Sequence, residues 1–329
     1  MTIRPIVIAH RGASGYRPEH TAAAYKLAIL QGADAVEPDL VSTRDGVLVV
    51  RHENEISGTT DVARHPEFAD SRTTRTIDGV SLTGWFTEDF TWSELATLRA
   101  RERLVSLRPA NTRCDGREGI LRLAELIDLI RKVDRRVVVV AELKHAHYFN
   151  SIGLPLEANF AAEVAGWAMP DNLVVESFEQ SALAKVQELD VPGRVTFLAE
   201  GTGAPADQVA KFGAAARSYA DYLTDAGLAR LAAEVDGVSV DKALLFARDI
   251  AGAVTGTTNL IERARSAGLE TYVWTLRAEN QFLEKNFRHG SRSRDFGHWE
   301  REFDLIMRTG LDGVFADQPD LALRARAAL

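Results

Sequence analysis

The sequence predicts a (β/α)8 barrel, the TIM barrel of the α/β class, in which eight parallel strands close into a cylinder inside a ring of helices. Short apolar or β-branched runs recur along the 329 residues. Most of them are followed by a segment with helical periodicity, an alternation that is typical of a parallel sheet. Eight such pairs can be counted, and they fit a closed barrel better than the alternative, an open doubly wound sheet.

The strands are predicted from the apolar and β-branched runs, and the helices from the periodic segments between them. The predicted strands cover residues 6–9, 35–41, 136–143, 173–177, 194–199, 237–240, 270–275 and 313–316. The predicted helices cover residues 21–31, 119–133, 156–167, 180–189, 224–234, 259–267, 300–308 and 321–328.

One connection is too long for a barrel loop, since residues 51–118 separate the second strand from the next helix. Residues 47–50 continue as strand, and a helix over 94–101 is predicted to be capped by Ser93. We therefore predict one barrel domain, 1–329, with an insertion at 53–118 that folds over one end of the barrel. Four aromatic residues of the insertion form either its own small core, which we favour, or an exposed apolar rim: Trp85, Phe86, Phe90 and Trp92.

Charge and composition exclude several classes of protein. Lys plus Arg number 39 against 47 Asp plus Glu, a net charge of −8 with no basic cluster, so nucleic acid is not an expected partner. Cys114 is the one cysteine, which excludes an intrachain disulfide. No signal peptide and no apolar stretch of about 18 residues is present, so we expect a cytoplasmic protein without stable membrane insertion. The oligomeric state is left open.

The second and third predicted strands end in acidic residues. Side chains alternate along a strand, so Glu37 and Asp39 point to one side, and Glu142 shares its side with Lys144. In a closed barrel this side is the interior or its mouth. The residues expected to cover the opposite, helix-facing side are Val36, Leu40, Val140 and Leu143.

Three carboxylates at one mouth repel one another unless a cation lies between them. A hard divalent ion with oxygen ligands resolves the repulsion, so we predict one Mg²⁺ or Ca²⁺ held by Glu37, Asp39 and Glu142. The alternative is that Glu142 pairs with Lys144 and that the other two carboxylates accept hydrogen bonds from the backbone.

Two histidines lie at or just beyond strand ends, beside the acidic residues. His10 and His52 are candidates for the base and the acid of one displacement, or else are hydrogen-bonded structural residues. Arg11 and Lys144 are candidates to hold a phosphate group, or else pair with the same carboxylates. Most of the other histidines are expected to be solvated: His20, His65, His145, His147, His289 and His298.

Taken together, these residues resemble the glycerophosphodiester phosphodiesterase family, along essentially the whole chain. The segments that carry the resemblance are HRGASG at 10–15, PEHT at 18–21, EPD at 37–39, DG at 45–46, VVRH at 49–52, ELK at 142–144, VWT at 273–275 and DGVFADQP at 312–319. The segment GWFTEDF at 84–90 is similar to the insertion of the family's bacterial, glycerophosphodiester-specific branch.

The resemblance implies a (β/α)8 barrel that hydrolyses glycerophosphodiesters to glycerol 3-phosphate and an alcohol with a divalent metal. By position, it implies metal ligands Glu37, Asp39 and Glu142, an acid and base in His10 and His52, phosphate contacts from Arg11 and Lys144, and a glycerol contact from Trp274. The chain departs from the common pattern at Glu53 and at Leu276-Arg277. We expect these departures to touch neither the ligands nor the histidines and to affect substrate choice.

Three other functions remain open. The nearest is the same scaffold acting on acylated phosphodiester lipids, as a lysophospholipase D-type or sphingomyelinase D-like enzyme, which would favour an exposed apolar rim. A non-catalytic barrel that binds phosphodiesters is the second. A metal-dependent barrel enzyme that stabilises an enolate is the third, and it lacks the expected carboxylates on later strands.

Overall fold

The computed structural model describes residues 4–329. The strands are β1 Ile6–His10, β2 Ala35–Glu37, β3 Asp39–Ser42, β4 Leu48–Val50, β5 Thr73–Ile77, β6 Val80–Gly84, β7 Val138–Leu143, β8 Leu173–Ser177, β9 Arg194–Ala199, β10 Gly237–Asp241, β11 Phe246–Arg248, β12 Val254–Thr257, β13 Glu270–Leu276 and β14 Gly313–Ala316.

The helices between them are mostly short. The α-helices are α1 Ala22–Gln31, α2 Trp92–Leu95, α3 Leu123–Arg131, α4 Ala146–Ser151, α5 Leu156–Val164, α6 Gln180–Glu188, α7 Ala206–Phe212, α8 Tyr219–Tyr222, α9 Asp225–Leu231, α10 Leu260–Ser266, α11 Trp299–Met307 and α12 Pro319–Ala327. Short 3₁₀ helices cover Val62–Arg64, Pro66–Ser71, Thr87–Asp89, Asn111–Cys114, Gly213–Ala215, Lys242–Leu245 and Lys285–Phe287.

The strands close into the predicted barrel. The parallel order runs β1, β2, β7, β8, β9, β10, β13 and β14, and β14 pairs back onto β1. Each of the eight predicted runs contributes to this cylinder, which confirms the (β/α)8 fold. The second run is not one strand as predicted, because the ring nitrogen of Pro38 cannot donate to the ladder and divides the run into β2 and β3. Residues 48–50 then turn back as β4, antiparallel to β3.

Two apolar layers fill the molecule. One lies between strands and helices and includes Val36, Leu40 and Leu143, as predicted. The other fills the barrel interior. Its buried members are Ile8, Ala35, Val138, Val140, Val174, Tyr272 and Phe315. The prediction for Val140 was therefore wrong: Val140 stands two residues before Glu142 on β7 and shares its inward face.

Between β4 and α3 the chain forms an antiparallel hairpin, β5 and β6, and several short turns. The hairpin turns at Asp78 and Gly79, which both have positive φ, as a two-residue connection requires. The predicted helix over 94–101 was wrong in length and in its cap. Helix α2 ends at Leu95, and its capping box is formed by Thr91 and Glu94, with Ser93 inside the first turn.

The aromatic residues of this segment pack inward. Phe86 and Phe90 are buried, and Phe90 meets Phe68 edge to face. The Trp85 indole donates to the Phe68 carbonyl oxygen at 2.6 Å. These contacts match the favoured interpretation, a small core under the insertion. Within residues 4–329, none of the helices is both long and apolar enough to cross a bilayer.

Candidate active site

A cavity of about 730 Å³ opens at the carboxyl ends of the barrel strands, the end at which barrel enzymes carry their sites. Seven of the eight predicted site residues line it: His10, Arg11, Glu37, His52, Glu142, Lys144 and Trp274. The eighth, Asp39, lies beneath them and is almost completely buried. The strand order therefore brings together residues that are up to 264 positions apart in sequence.

Three buried glutamates form the acidic centre of this cavity. One carboxylate oxygen from each of Glu37, Glu142 and Glu176 lies within 4.8 Å of the others. Burial raises the pKa of all three carboxyl groups. The nearby Asp39 raises the three pKa values further, and Glu142 does the same for Glu37 and Glu176. Burial and mutual repulsion therefore disfavour the ionised forms, and an additional positive charge among the three carboxyl groups would favour them.

Asp39 does not belong to this cluster. Its Oδ2 accepts a 2.8 Å hydrogen bond from His20 Nε2 and lies 3.2 Å from Arg11 Nε. Burial alone would raise the pKa of Asp39, but His52, Lys144 and Arg11 hold it well below its usual range. The predicted set of Glu37, Asp39 and Glu142 differs in one member from the set that the structure groups.

The histidine behind Asp39 corrects a second expectation. His20 is completely buried, where solvation was predicted, and its Nδ1 lies 2.9 Å from the hydroxyl of Tyr25. Asp39 is thus bound from behind through His20 and Tyr25. Its charge is therefore already compensated by protein groups.

The donor set suits a hard divalent cation. Oxygen ligands from several carboxylates are the preference of Mg²⁺ and Ca²⁺. Glu176 Oε2 is buried and has no hydrogen-bond partner among the residues that the structure describes. An unpartnered buried carboxylate oxygen is costly, and a cation among the three glutamates would remove that cost.

The alternative interpretation of Glu142 is also realised, because Lys144 Nζ lies 2.9 Å from Glu142 Oε1. The same ammonium group lies 3.2 Å from His52 Nε2. Arg11 is buried between Glu19, at 3.3 Å, and Asp39. Both cations line the cavity while they pair with carboxylates, so ion pairing and contact with a ligand are compatible at these positions.

Each candidate histidine has a carboxylate at its Nδ1. His10 Nδ1 lies 2.6 Å from Asp317 Oδ1, and His52 Nδ1 contacts Glu53 Oε1. The expectation that Glu53 would not touch the histidines was therefore wrong. Burial and the nearby Arg11 lower the pKa of His10 to about 4 and of His52 to about 3, so both rings are neutral at pH 7 in the free protein.

The loop after β1 delivers backbone donors to the site. Arg11 has φ of +61°, and its backbone N–H donates to Glu37 Oε2 at 2.8 Å. Gly12 follows with φ of +79°, and a Cβ there would lie 2.7 Å from the carbonyl carbon of Ala24. Glycine is required because helix α1 passes so close to this turn.

Two important residues were missed by the sequence analysis, Glu176 and Asp317. Glu176 lies inside the fourth predicted strand, 173–177, and pairs in register with Glu142. Applying the same alternation to this strand would have placed it inward with Val174. Asp317 likewise stands two residues after the inward-facing Phe315, within a segment quoted for the family resemblance.

The segment between β4 and α3 reaches the rim of the cavity. Thr76, Asp78 and Gly79 of the β5–β6 hairpin line it, and Asp78 Oδ2 lies 2.5 Å from His145 Nδ1. His145 is the N-cap of α4 and directly follows Lys144, two residues after the end of β7. The hairpin tip is thus attached to the barrel beside the glutamate cluster.

Known proteins resemble this chain over nearly its full length. The model described as the Glycerophosphoryl diester phosphodiesterase family matches residues 10–321. A glycerophosphodiester phosphodiesterase of Arabidopsis thaliana is 31% identical over 337 aligned residues, which cover 96% of this chain and 84% of the plant protein.

Two solved structures share the fold. The crystal structure of a glycerophosphodiester phosphodiesterase from Agrobacterium tumefaciens is 20% identical with a TM-score of 0.59, covering 97% of this chain and 99% of the other. An Oleispira antarctica phosphodiesterase, solved with the product sn-glycerol-3-phosphate, is 20% identical with a TM-score of 0.62, covering 98% and 96%.

Proposed function

Because this chain belongs to the glycerophosphoryl diester phosphodiesterase family, a family of phosphodiester hydrolases, we propose that it hydrolyses glycerophosphodiesters to glycerol 3-phosphate and an alcohol. The observation that carries the proposal is the meeting of three buried glutamates with two neutral histidines in one cavity. The product named for the Oleispira relative is the product proposed here. We further propose one barrel domain, with residues 53–118 as an insertion that completes the cavity.

One divalent cation is part of the proposal, either Mg²⁺ or Ca²⁺. Glu37 and Glu142 belong both to the sequence-predicted set and to the structural cluster, and Glu176 or Asp39 would complete the set of ligands. When bound, the ion offsets the charge of these carboxylates and of the phosphate group. The remaining steps are carried out by side chains of the chain itself.

The two histidines are proposed to carry the protons. One accepts the proton of the glycerol 2-hydroxyl as that oxygen attacks phosphorus, and the other donates a proton to the leaving alcohol. The cyclic glycerophosphate is then opened by water with the two roles reversed. The donor must be protonated first, and the negative charge of a phosphodiester near His10 and His52 favours that form.

Arg11, Lys144 and Trp274 are proposed to hold the substrate. Arg11 and Lys144 line the same cavity as the glutamates and present positive charge to the phosphate oxygens. The Trp274 indole packs against Phe178 with ring centroids 5.9 Å apart, and its Nε1 is buried with no partner among residues 4–329. A glycerol hydroxyl would satisfy this donor.

The test is the release of glycerol 3-phosphate from glycerophosphocholine, glycerophosphoethanolamine and glycerophosphoglycerol, first in EDTA and then with Mg²⁺ or Ca²⁺ restored. We expect release that requires the ion. A folded protein that releases nothing with either ion would contradict the proposal.

The same assay tests the acylated substrates of the alternative function. The alternative function would favour an exposed apolar rim that includes Phe86 and Phe90, but both side chains are buried. We therefore expect choline release from glycerophosphocholine and little from its acylated form. The reverse preference would establish the lysophospholipase D-type activity.

A further inference from the structure

Asp317 is the residue through which the barrel holds His10. It follows β14, and only 2% of it is exposed. Its Oδ1 lies 2.6 Å from His10 Nδ1, and arginines at its other oxygen keep the pKa of this carboxyl well below its usual range in spite of burial. An ionised carboxylate only accepts, so Nδ1 of His10 carries the hydrogen. Nε2 is then the ring nitrogen left for the cavity, which His10 lines.

The second oxygen of Asp317 is bound from two sides. Oδ2 accepts hydrogen bonds from Arg108 Nη2 at 2.6 Å and from Arg277 Nε at 2.7 Å. Arg108 also donates to Glu279 Oε1 at 2.7 Å and to the carbonyl oxygen of Ser14 at 3.1 Å. The carboxylate therefore has a fixed orientation, in which Oδ1 faces His10 and Oδ2 faces the two arginines.

The origin of these two arginines is unexpected. Arg108 comes from the segment between β4 and α3, 209 positions before Asp317, yet it is buried in the barrel mouth. Arg277 is one of the positions at which the chain departs from the common family pattern, and it was expected to touch neither histidine. It acts on His10 through one intervening carboxylate.

We propose that Asp317 is a positioning residue for His10, and that Arg108 of the insertion and Arg277 hold the Asp317 carboxylate in the orientation that presents Nε2 of His10 to the substrate. This inference rests on the proposed function in one respect, the use of His10 as acid or base. It makes the insertion a part of the catalytic apparatus, in addition to a cover over the cavity.

The arginines determine what an amide would do at this position. In Asp317→Asn, the amide oxygen faces Arg108 and Arg277, because both are donors only. The amide NH₂ group then faces His10 and can only donate, so Nδ1 must accept and the hydrogen moves to Nε2. The His10 ring would then present a protonated Nε2 to the substrate in place of an Nε2 with a free lone pair, although nearly every atom keeps its place.

The experiment combines histidine NMR with kinetics. Protein labelled with ¹⁵N-histidine reports which ring nitrogen of His10 carries hydrogen, and the spectrum of His10→Gln identifies the His10 signals. We expect the Nδ1–H form in the wild type and the Nε2–H form in Asp317→Asn. We also expect kcat to fall by about 10²- to 10⁴-fold with KM changed by less than about threefold.

Asp312→Asn is the matched control. Asp312 lies at the other end of β14 and is also bound by an arginine, Arg265, at 2.7 Å. It makes no contact with His10, so the His10 signals and kcat should equal those of the wild type. A general effect of weakening an arginine–aspartate pair would appear in both variants, whereas a positioning effect appears in Asp317→Asn alone.

The proposal is overturned if folded Asp317→Asn keeps the Nδ1–H form and a kcat within about threefold of the wild type. Should Asp317→Asn not fold, Arg108→Lys carries the test, because lysine keeps the charge but cannot bridge Asp317 and Glu279 in the same way. A folded Arg108→Lys with unchanged kcat would then overturn the proposal, and a fall in kcat at constant KM supports it. Failure of the proposed function would show as an inactive wild type, which the NMR comparison distinguishes.

Discussion

The two ends of the barrel use acidic side chains in opposite ways. At the amino ends of the strands, Asp34, Asp236 and Asp312 each directly precede a strand. Each accepts a backbone hydrogen bond at 2.8 Å from the neighbouring strand. Asp34 and Asp312 are also bound by arginines. These carboxylates are satisfied by the fold itself.

At the carboxyl ends, the glutamates are inward, buried and crowded. Glu37, Glu142 and Glu176 repel one another, and Glu176 has an oxygen without a partner in the described part of the chain. The difference teaches that the aspartates at the amino ends stabilise the fold, whereas the glutamate cluster at the carboxyl ends keeps a repulsion that its protein neighbours do not remove. This division agrees with the general placement of sites in barrel enzymes.

The largest effect is expected from the histidines of the carboxyl end. His10→Ala or His52→Ala removes one proton transfer, so kcat should fall by about 10²- to 10⁴-fold with substrate binding largely kept. Steady-state release of glycerol 3-phosphate measures kcat, and its dependence on substrate concentration measures KM. Near wild-type turnover in both single variants would remove the histidines from the mechanism.

A smaller effect, with opposite signs on stability and activity, is expected from Glu176→Gln. The pKa of Glu176 is higher in the folded chain than in the unfolded chain, so at a pH above the unfolded-state pKa this carboxyl group lowers the stability of the metal-free protein. The neutral amide should therefore leave the free energy of unfolding unchanged or raise it. Divalent-ion affinity should fall by about 10-fold or more, as calorimetry can measure. A clear loss of metal-free stability would contradict this account.

The smallest effect on activity is expected at the amino end. Asp312→Asn weakens the hydrogen bonds to Arg265 and to the Thr271 backbone, so the free energy of unfolding should fall by about 1–3 kcal/mol. Denaturant unfolding measures this loss. Because Asp312 lies far from the cavity, kcat should stay within about twofold of the wild type. A large loss of turnover at unchanged stability would break the division between the two ends.

Much of this site followed from the alternation of side chains along strands. That rule placed Glu37 and Glu142 in the interior, and it would have placed Glu176 there as well, had it been applied to every strand. It could not show that Asp39 would be compensated from behind, because His20 reaches it through a loop.

The contribution of the insertion could not be predicted from local patterns. Arg108 meets Asp317 across 209 positions, and no periodicity of the sequence relates the two. The same holds for Asp78 and His145, which join the hairpin tip to the barrel. Contacts of this kind depend on how segments far apart in the sequence pack together, whereas the barrel strands are specified by local alternation.

The most direct test of the whole account is a titration of metal-free protein with Mg²⁺ or Ca²⁺ in which melting temperature and glycerol 3-phosphate release are followed on the same samples. The account predicts that both rise over one range of ion concentration, because one ion relieves the repulsion of the glutamates and completes the site. Full turnover in EDTA, with a melting temperature that the ion does not change, would contradict it.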